Sequence, residues 1–518
     1  MIKKIILFIT VLFFIGCGGG SSSSSDTSSD PQTITGVLLD SAISGVTYSC
    51  DSTTNITDTD GKFTCPINST VSFTIGGISL GSITLTSAQN LQQITPAKLY
   101  GLENDNITDV RILNFIQFIQ SLDTDNNATN GIDISSSTRD DLVGYSLDIS
   151  NTNTSQNDLN TTLIAIGKNL ISQNKALEHY IDTLQNILNI VLKSEPYYYQ
   201  QWYLEKDNTF YSENSINENA HINSANLLKS YTGNNIKIAI IDDGLDTTHE
   251  DLEGSIIATY DVVTKTATVS HVNQSGYHGT AVTGIIGARV NSKGIQGIAS
   301  KSQIIFLKHK ENMSDSETIE LFNKAEEFGA DIINCSWGTY DVSQSVKDKI
   351  IDLANNGRDG KGTIIVFASG NNDQDMGNDE SAIPEVISVG STDKDNLRAW
   401  YSNYGVNLDV VAPGGYDIGI TTLDSMGSNG IASIDDNYLL YNDPNSFIGT
   451  SASAPIVSGA IALMLEKNPS LTRVEIENIL RNNSDKIGNL EYENGRNNYY
   501  GYGKINLSNI MKNVTLQK

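Results

Sequence analysis

Gly449-Thr450-Ser451-Ala452-Ser453-Ala454-Pro455 places one serine among very small residues, directly before an apolar run over 456–465. Gly459, Ala460 and Ala462 thin that run, which predicts a helix packed closely on nearly every side. Ser451 then stands at the helix N-terminus, where unpaired N–H groups and the positive end of the helix dipole favour a developing negative charge. Pro455 fits a first helical turn, where a missing N–H costs nothing. Ala452 and Ala454 leave room for another chain to come close. A serine nucleophile needs such a setting, but a serine that only caps a helix has the same local sequence. The rest of the chain has to choose between them.

Upstream, apolar β-branched runs recur at 236–241, 304–307, 332–334, 364–367 and 386–389. Helical patterns lie between them, for example over 317–328 and 344–355, and Thr472-Arg473-Val474-Glu475 opens a late helix with a capping box. This alternation predicts an α/β domain: a parallel sheet with helices on both faces. Its first strand ends in Ile240-Ile241-Asp242-Asp243-Gly244. Tyr277-His278-Gly279-Thr280-Ala281 opens an apolar helix, and Phe367-Ala368-Ser369-Gly370-Asn371 ends another strand on an amide side chain. Asp242, His278, Asn371 and Ser451 therefore converge at the carboxyl edge of one sheet, where such folds form their sites.

These four stretches, in the order Asp, His, Ser, resemble the subtilisin-like serine proteases over roughly residues 196–515. The resemblance implies peptide hydrolysis through an acyl-enzyme. Ser451 is the nucleophile, His278 its general base, and Asp242 the group that orients and stabilises the imidazolium. Asn371 and the Ser451 N–H supply the oxyanion hole. Ser336-Trp337-Gly338 matches the family segment that pairs with substrate as an extra strand, and Asp341 is placed with it as substrate-binding. Asp251 and Asn291 match side chains that share a structural calcium. Asp243 after Asp242, the glycines of 357–362 and Gly501-Tyr502-Gly503 lean toward the kexin branch, although the chain lacks the cysteines of that branch after Asn371.

The first 195 residues have a different composition. Lys3 and Lys4 precede an apolar run over 5–15, too short to span a bilayer, and Phe14-Ile15-Gly16-Cys17 follows. This resembles the lipobox of bacterial lipoproteins, which implies cleavage after residue 16 and a lipid on Cys17. The Gly/Ser-rich tract over 17–32 then serves as a tether. Period-two alternation over 33–100 predicts a small β-sandwich, similar to transthyretin-like modules, with Cys50 and Cys65 a candidate disulfide pair. Residues 101–195 read as a helical spacer or pro-region. It holds a helix over 106–121, an Asp/Asn loop from Asp123 that lacks the glycine and glutamate of an EF-hand, a loose polar stretch over 136–161, and one long amphipathic helix over 163–192. Residues 196–518 form the peptidase-like domain, in which Cys335 is expected as a buried free thiol.

The whole chain has 518 residues and carries 60 acidic against 33 basic side chains, a net charge of −27. That excludes nucleic acid as a natural partner and suits an exported protein that holds calcium. Two functions remain open on sequence alone. One is a membrane-tethered serine endopeptidase acting on proteins or peptides, anchored to the bacterial cell envelope. The other is a catalytically silent surface binding protein on the same fold.

Overall fold

The structure is a computed structural model that describes residues 33–515, apart from 52, 87–90, 103–106, 108, 185–187, 189–194, 225–226 and 271–275. The expected signal segment, Cys17 and the tether lie outside the described residues.

Two sheets open the described chain. One has the order Lys62–Pro66, Thr33–Leu38, Leu91–Ile94, and the other Leu147–Asp148, Ile78–Thr84, Thr70–Ile75, Thr47–Cys50, Thr53–Ile56. Alternation sends Phe63 from the first sheet onto Phe73 and Tyr48 of the second, with ring centroids 5.0 and 5.6 Å apart. Cys50 and Cys65 are joined in a disulfide that ties the two sheets together. It closes a loop of 15 residues, which constrains the unfolded chain by about 3 kcal/mol in the chain-entropy account.

The helix Val110–Leu122 follows, capped by Asp109 and buried at every position from Ile112 onward. Its buried polar members reach other parts of the chain: Asn114 Nδ2 donates to Thr154 O at 2.8 Å, Gln120 Nε2 to Asp40 Oδ2 at 2.9 Å, and Gln117 Nε2 to Ile171 O at 3.0 Å, although Gln117 Oε1 has no partner. In the loop beyond, the Asp123 carboxylate accepts from the N–H groups of Thr124, Asn127 and Asp133, so its oxygens are taken by its own backbone.

Two expectations for this half need correction. Residues 136–161 are not loose: Ser135 caps the helix Ser136–Asp141, and a Ser155/Asp158 capping box starts the helix Gln156–Ala165. Nor is there one long helix from residue 163. The Gln156–Ala165 helix stops at Gly167, which has φ 74°, and a separate helix runs over Gln173–Asp182.

The second half is built on seven parallel strands. They run in the order Ile256–Asp261, Gln303–Lys308, Lys237–Asp242, Ile332–Cys335, Ile364–Ala368, Ile387–Thr392, Val410–Pro413. The inner strands Lys237–Asp242, Ile332–Cys335 and Ile364–Ala368 are apolar runs because both faces are covered. Ala239, Ile241, Ile305, Leu307, Ile333, Cys335 and Phe367 face the helices Asp315–Glu327 and Gln344–Gly360. Ile238, Ile240, Ile304, Phe306, Ile332 and Val366 face the opposite way, onto the helices His278–Gly287 and Thr450–Lys467. Cys335 is the buried free thiol expected. The core on the face of the Thr450–Lys467 helix is continuous with that of the sandwich and the Val110–Leu122 helix.

The edge strands Ile256–Asp261 and Val410–Pro413 escaped the sequence reading, the first because Thr259, Tyr260 and Asp261 break its apolar pattern and the second because it is short and ends in proline. Register lines up the strand ends, with Asp242 opposite Lys308, Ile241 opposite Cys335, and Cys335 opposite Phe367.

The Thr450–Lys467 helix is buried from Thr450 to Leu465. Gly459 permits that: a Cβ there would lie 2.7 Å from Ile298 Cβ. Pro455 is the sixth helical residue, a turn deeper than expected, so its missing N–H does leave a carbonyl without its helical partner. Among the described residues no helix is long and apolar enough to cross a membrane.

Candidate active site

Asp242 is the last residue of its strand and is 1% exposed. Its Oδ1 accepts from Asp243 N at 2.9 Å and is 2.8 Å from His278 Nδ1. His278 is the first residue of the His278–Gly287 helix, held there by a close crossing at Gly279. A Cβ on Gly279 would lie 2.3 Å from Gly244 O and 2.6 Å from the Phe306 ring. Gly279 N instead donates to Asp243 Oδ1 at 2.9 Å. Phe447 packs its ring on His278 at 5.3 Å, and the His278 side chain stays 27% exposed.

The charges of this cluster are set by one another. Burial alone would push Asp242 up, but the His278 imidazole beside it holds its carboxyl below the usual range. Burial pushes His278 down, and the Asp242 and Asp243 carboxylates more than reverse that, leaving it raised. Asp243 is pushed up to about 7 by burial and by the charge of Asp242.

Ser451 is the second residue of its helix and 9% exposed. Gly449 turns the chain into that helix with φ 124°, a conformation that favours glycine. The Ser451 hydroxyl donates to Ser336 O at 3.0 Å rather than to His278. Asn371 stands across from it. Its Oδ1 accepts from both Thr450 N and Thr450 Oγ1 at 2.9 Å, which turns Nδ2 toward Gly449, 3.1 Å from where a Cβ there would be. Buried Asn403 braces the loop, with Oδ1 accepting from Asn372 N at 2.9 Å. The contact of Thr450 with Asn371 and the places of Asn403 and Phe447 carry no signal in the sequence, since only the folded chain brings them beside Asn371 and His278.

The segment expected to bind substrate divides by residue. The backbone of Trp337 and Gly338 makes no hydrogen bond among the described residues, so an edge is free there. The Trp337 side chain is turned inward instead: its Nε1 donates to Ile241 O at 2.9 Å and its ring packs on Phe367. Asp341 accepts from Asn378 Nδ2 at 2.8 Å and pairs with that residue on the rim. Ser336 turns its hydroxyl onto Ser451 O at 3.0 Å.

The candidate calcium residues lie together elsewhere. Asp251 is fully buried, with Oδ2 accepting from Ile295 N at 3.2 Å and Oδ1 without a partner. Asn291 Oδ1 accepts from Lys293 N, and its Nδ2 donates to Glu250 O. The sequence reading missed Glu195, 2% exposed, whose carboxylate takes the N–H groups of Ser292 and Lys293 at 3.1 and 2.7 Å. Burial pushes Asp251 up to about 8 and Glu195 up to about 7, and the Glu195 and Glu250 charges add to the rise at Asp251. The nearby Lys293 Nζ is taken by Glu250 at 2.7 Å, and the buried oxygens of Asp251 and Glu195, one of them without a hydrogen-bond partner, fit a hard divalent ion.

Comparison with known proteins places this geometry. The chain is 33% identical over 336 residues to a calcium-dependent protease of Trichormus variabilis, an overlap of 59% of this chain and 50% of that protein. It is 30% identical over 287 residues to subtilisin NAT of Bacillus subtilis subsp. natto, covering 54% of this chain and 66% of that one. The chain thus spans about half the length of the calcium-dependent proteases it matches. Among solved structures, a Pseudoalteromonas arctica protease superposes with TM-score 0.51 at 23% identity, over 62% of this chain and 99% of that one. The Aeromonas sobria serine protease, solved with its chaperone, gives 0.54 at 19%, over 62% and 67%. These two show the fold alone. Residues 233–503 match the subtilase family, a little over half of the sequence, and they contain Asp242, His278, Asn371 and Ser451; the chain belongs to that family.

Proposed function

We propose that the protein is a serine endopeptidase that cleaves proteins or peptides through Asp242, His278 and Ser451. The observation that carries this reading is the 2.8 Å contact between His278 Nδ1 and Asp242 Oδ1, at the sheet edge that also holds Ser451 and Asn371. With Nδ1 held by Asp242, the other ring nitrogen is left to act as base. The Ser451 hydroxyl leaves Ser336 O, a rotation about one side-chain bond, and passes its proton to Nε2 as its oxygen attacks the scissile carbonyl. The resulting oxyanion is met by Asn371 Nδ2 and the Ser451 N–H, donors fixed before the reaction starts. The imidazolium, stabilised by Asp242, then gives its proton to the leaving amine. Water repeats the sequence on the acyl-enzyme.

The free backbone at Trp337 and Gly338 suits a substrate lying as an added strand. Asp251, Asn291 and Glu195 would hold a structural calcium, a reading supported by the unpartnered Asp251 oxygen and by relatives named calcium-dependent proteases. Asp243 beside the catalytic aspartate inclines the chain to the kexin branch. The Phe14–Cys17 stretch supports export and lipid anchoring through Cys17, so that most active protein stays full-length in the membrane fraction; an immunoblot finding it soluble and starting near residue 196 would overturn this.

The decisive experiment is fluorophosphonate labelling, since only an activated serine reacts. Wild type is expected to label and to hydrolyse a peptide. Ser451→Ala is expected to do neither while keeping its melting transition. A folded wild type that never labels would favour the silent binding protein.

A further inference from the structure

Pro455 creates a problem at the nucleophile that other residues solve. In an α-helix the carbonyl of Ser451 would accept from the N–H four residues on, and residue 455 has none. Ser336 Oγ takes that place, donating to Ser451 O at 3.0 Å. The same residue's carbonyl accepts the Ser451 hydroxyl, also at 3.0 Å. Ser336 therefore grips both the backbone and the side chain of the nucleophile.

Ser336 is itself held from behind. Asn334, fully buried in the Ile332–Cys335 strand, donates from Nδ2 to Ser336 Oγ at 3.1 Å. Its Oδ1 accepts from Ser458 Oγ at 2.8 Å. Ser458 lies on the helix of Ser451, two turns further along and fully buried. The hydrogen bonds thus run from Ser451 through Ser336 and Asn334 to Ser458 and return to the helix where they began. Asn334 fixes the direction of the Ser336 hydroxyl. An amide N–H pointing at Ser336 Oγ leaves that hydroxyl's own proton for Ser451 O.

Taking Ser451 as the nucleophile proposed above, we propose that Asn334 and Ser336 are positioning residues that set its height and direction. They brace the prolyl turn so that the Ser451 N–H and hydroxyl keep a productive geometry. Neither side chain is placed to touch the reacting atoms. A displacement of about 1 Å at a reacting group costs on the order of a hundredfold in rate.

The test uses the full chain and a fluorophosphonate probe, separating the labelling rate constant from probe affinity, with the melting transition as the check of folding. Ser336→Ala is expected to lower the rate constant roughly tenfold to a hundredfold with little change in affinity. Ser336→Thr, which keeps a hydroxyl, is expected to recover most of it. Asn334→Asp keeps the volume but presents an acceptor, which draws the Ser336 proton away from Ser451 O. It should show the same loss, and the double variant should lose no more than either single one, since both act through one hydroxyl. If Ser336→Ala has no folded transition, Asn334→Asp decides. A folded Ser336→Ala or Asn334→Asp chain that labels at the wild-type rate overturns the inference, as do losses that multiply in the double variant. A wild type that does not label overturns the nucleophile assignment and this inference together, whereas normal wild-type labelling with indifferent variants overturns this inference alone.

Discussion

Asp242 and Asp251 stand nine residues apart in the chain, 1% and 0% exposed, and each keeps one carboxylate oxygen without a partner. Their ionisation moves in opposite directions. Asp242 is held below the usual range although burial opposes it, because His278 is beside it. Asp251 is pushed up to about 8, chiefly by burial, and the carboxylates of Glu195 and Glu250 add to the rise. Burial acts on both, and what separates them is His278, whose charge and hydrogen bond outweigh burial at Asp242 and have no counterpart at Asp251. In the proposed mechanism, one aspartate faces a group that becomes a cation during the reaction. In the proposed calcium site, the other takes its cation from solution.

Replacing Asp242 by asparagine should break the contrast most severely. The amide would keep the shape but favour the wrong imidazole tautomer and leave the imidazolium uncompensated, with an expected loss of about 10⁴ in kcat. Steady-state hydrolysis of a peptide by a folded Asp242→Asn chain checks this. A loss below tenfold would remove Asp242 from the proposed role.

Calcium sharpens the other side. An ion that binds only the folded state stabilises it by about 2.7 kcal/mol at a hundredfold excess over Kd, which amounts to several degrees in Tm. Wild type is expected to melt higher in calcium than in chelator. Asp251→Asn should lose that difference, yet in chelator it should melt no lower than wild type, since it removes a carboxylate whose ionisation burial opposes. An unchanged wild-type Tm on chelation would show that no such exchangeable ion is bound.

The two sites were not equally legible in the sequence. Asp242, His278, Asn371 and Ser451 each occupy a strand end or a helix start among glycine and alanine, and those local signals survive without coordinates. Glu195 gives no such signal, because what makes it part of a site is contact with a loop 97 residues away at Ser292. The direction of the Trp337 side chain is hidden for a related reason. Its neighbours Ser336 and Gly338 mark an open strand edge, but nothing local says that the indole turns back to Ile241. In the first half, alternation marked the sandwich, whereas the helix over 163–192 was overextended because apolar spacing outweighed the stop at Gly167. The 136–161 stretch looked loose because its Ser155 cap closes on aspartate, Asp158, and the period was weak.

The smallest expected effect concerns Asp243, which sits between the two cases: a second, half-buried carboxylate beside His278, with ligand atoms of Asp242, Asp243 and His278 all within 4.8 Å of one another. The base must be neutral to accept the Ser451 proton, so kcat/KM should rise as pH climbs through the His278 pKa, which lies above its ordinary value. The carboxylate charges of Asp242 and Asp243 raise it, while the neighbouring His309 is itself pushed down by burial and stays neutral over most of that range. Asp243→Asn removes one negative charge and keeps the acceptor for Gly279 N. The imidazolium then loses stabilisation, its pKa falls, and the acid limb moves to lower pH. The shift should be about one unit, since Asp242 supplies the larger part of the rise at His278 and Asp243 the smaller. The variant would therefore keep more of its plateau activity in mild acid than wild type does. A pH profile of kcat/KM whose acid limb stays in place, or moves upward, would mean that Asp243 caps the helix without acting on the base.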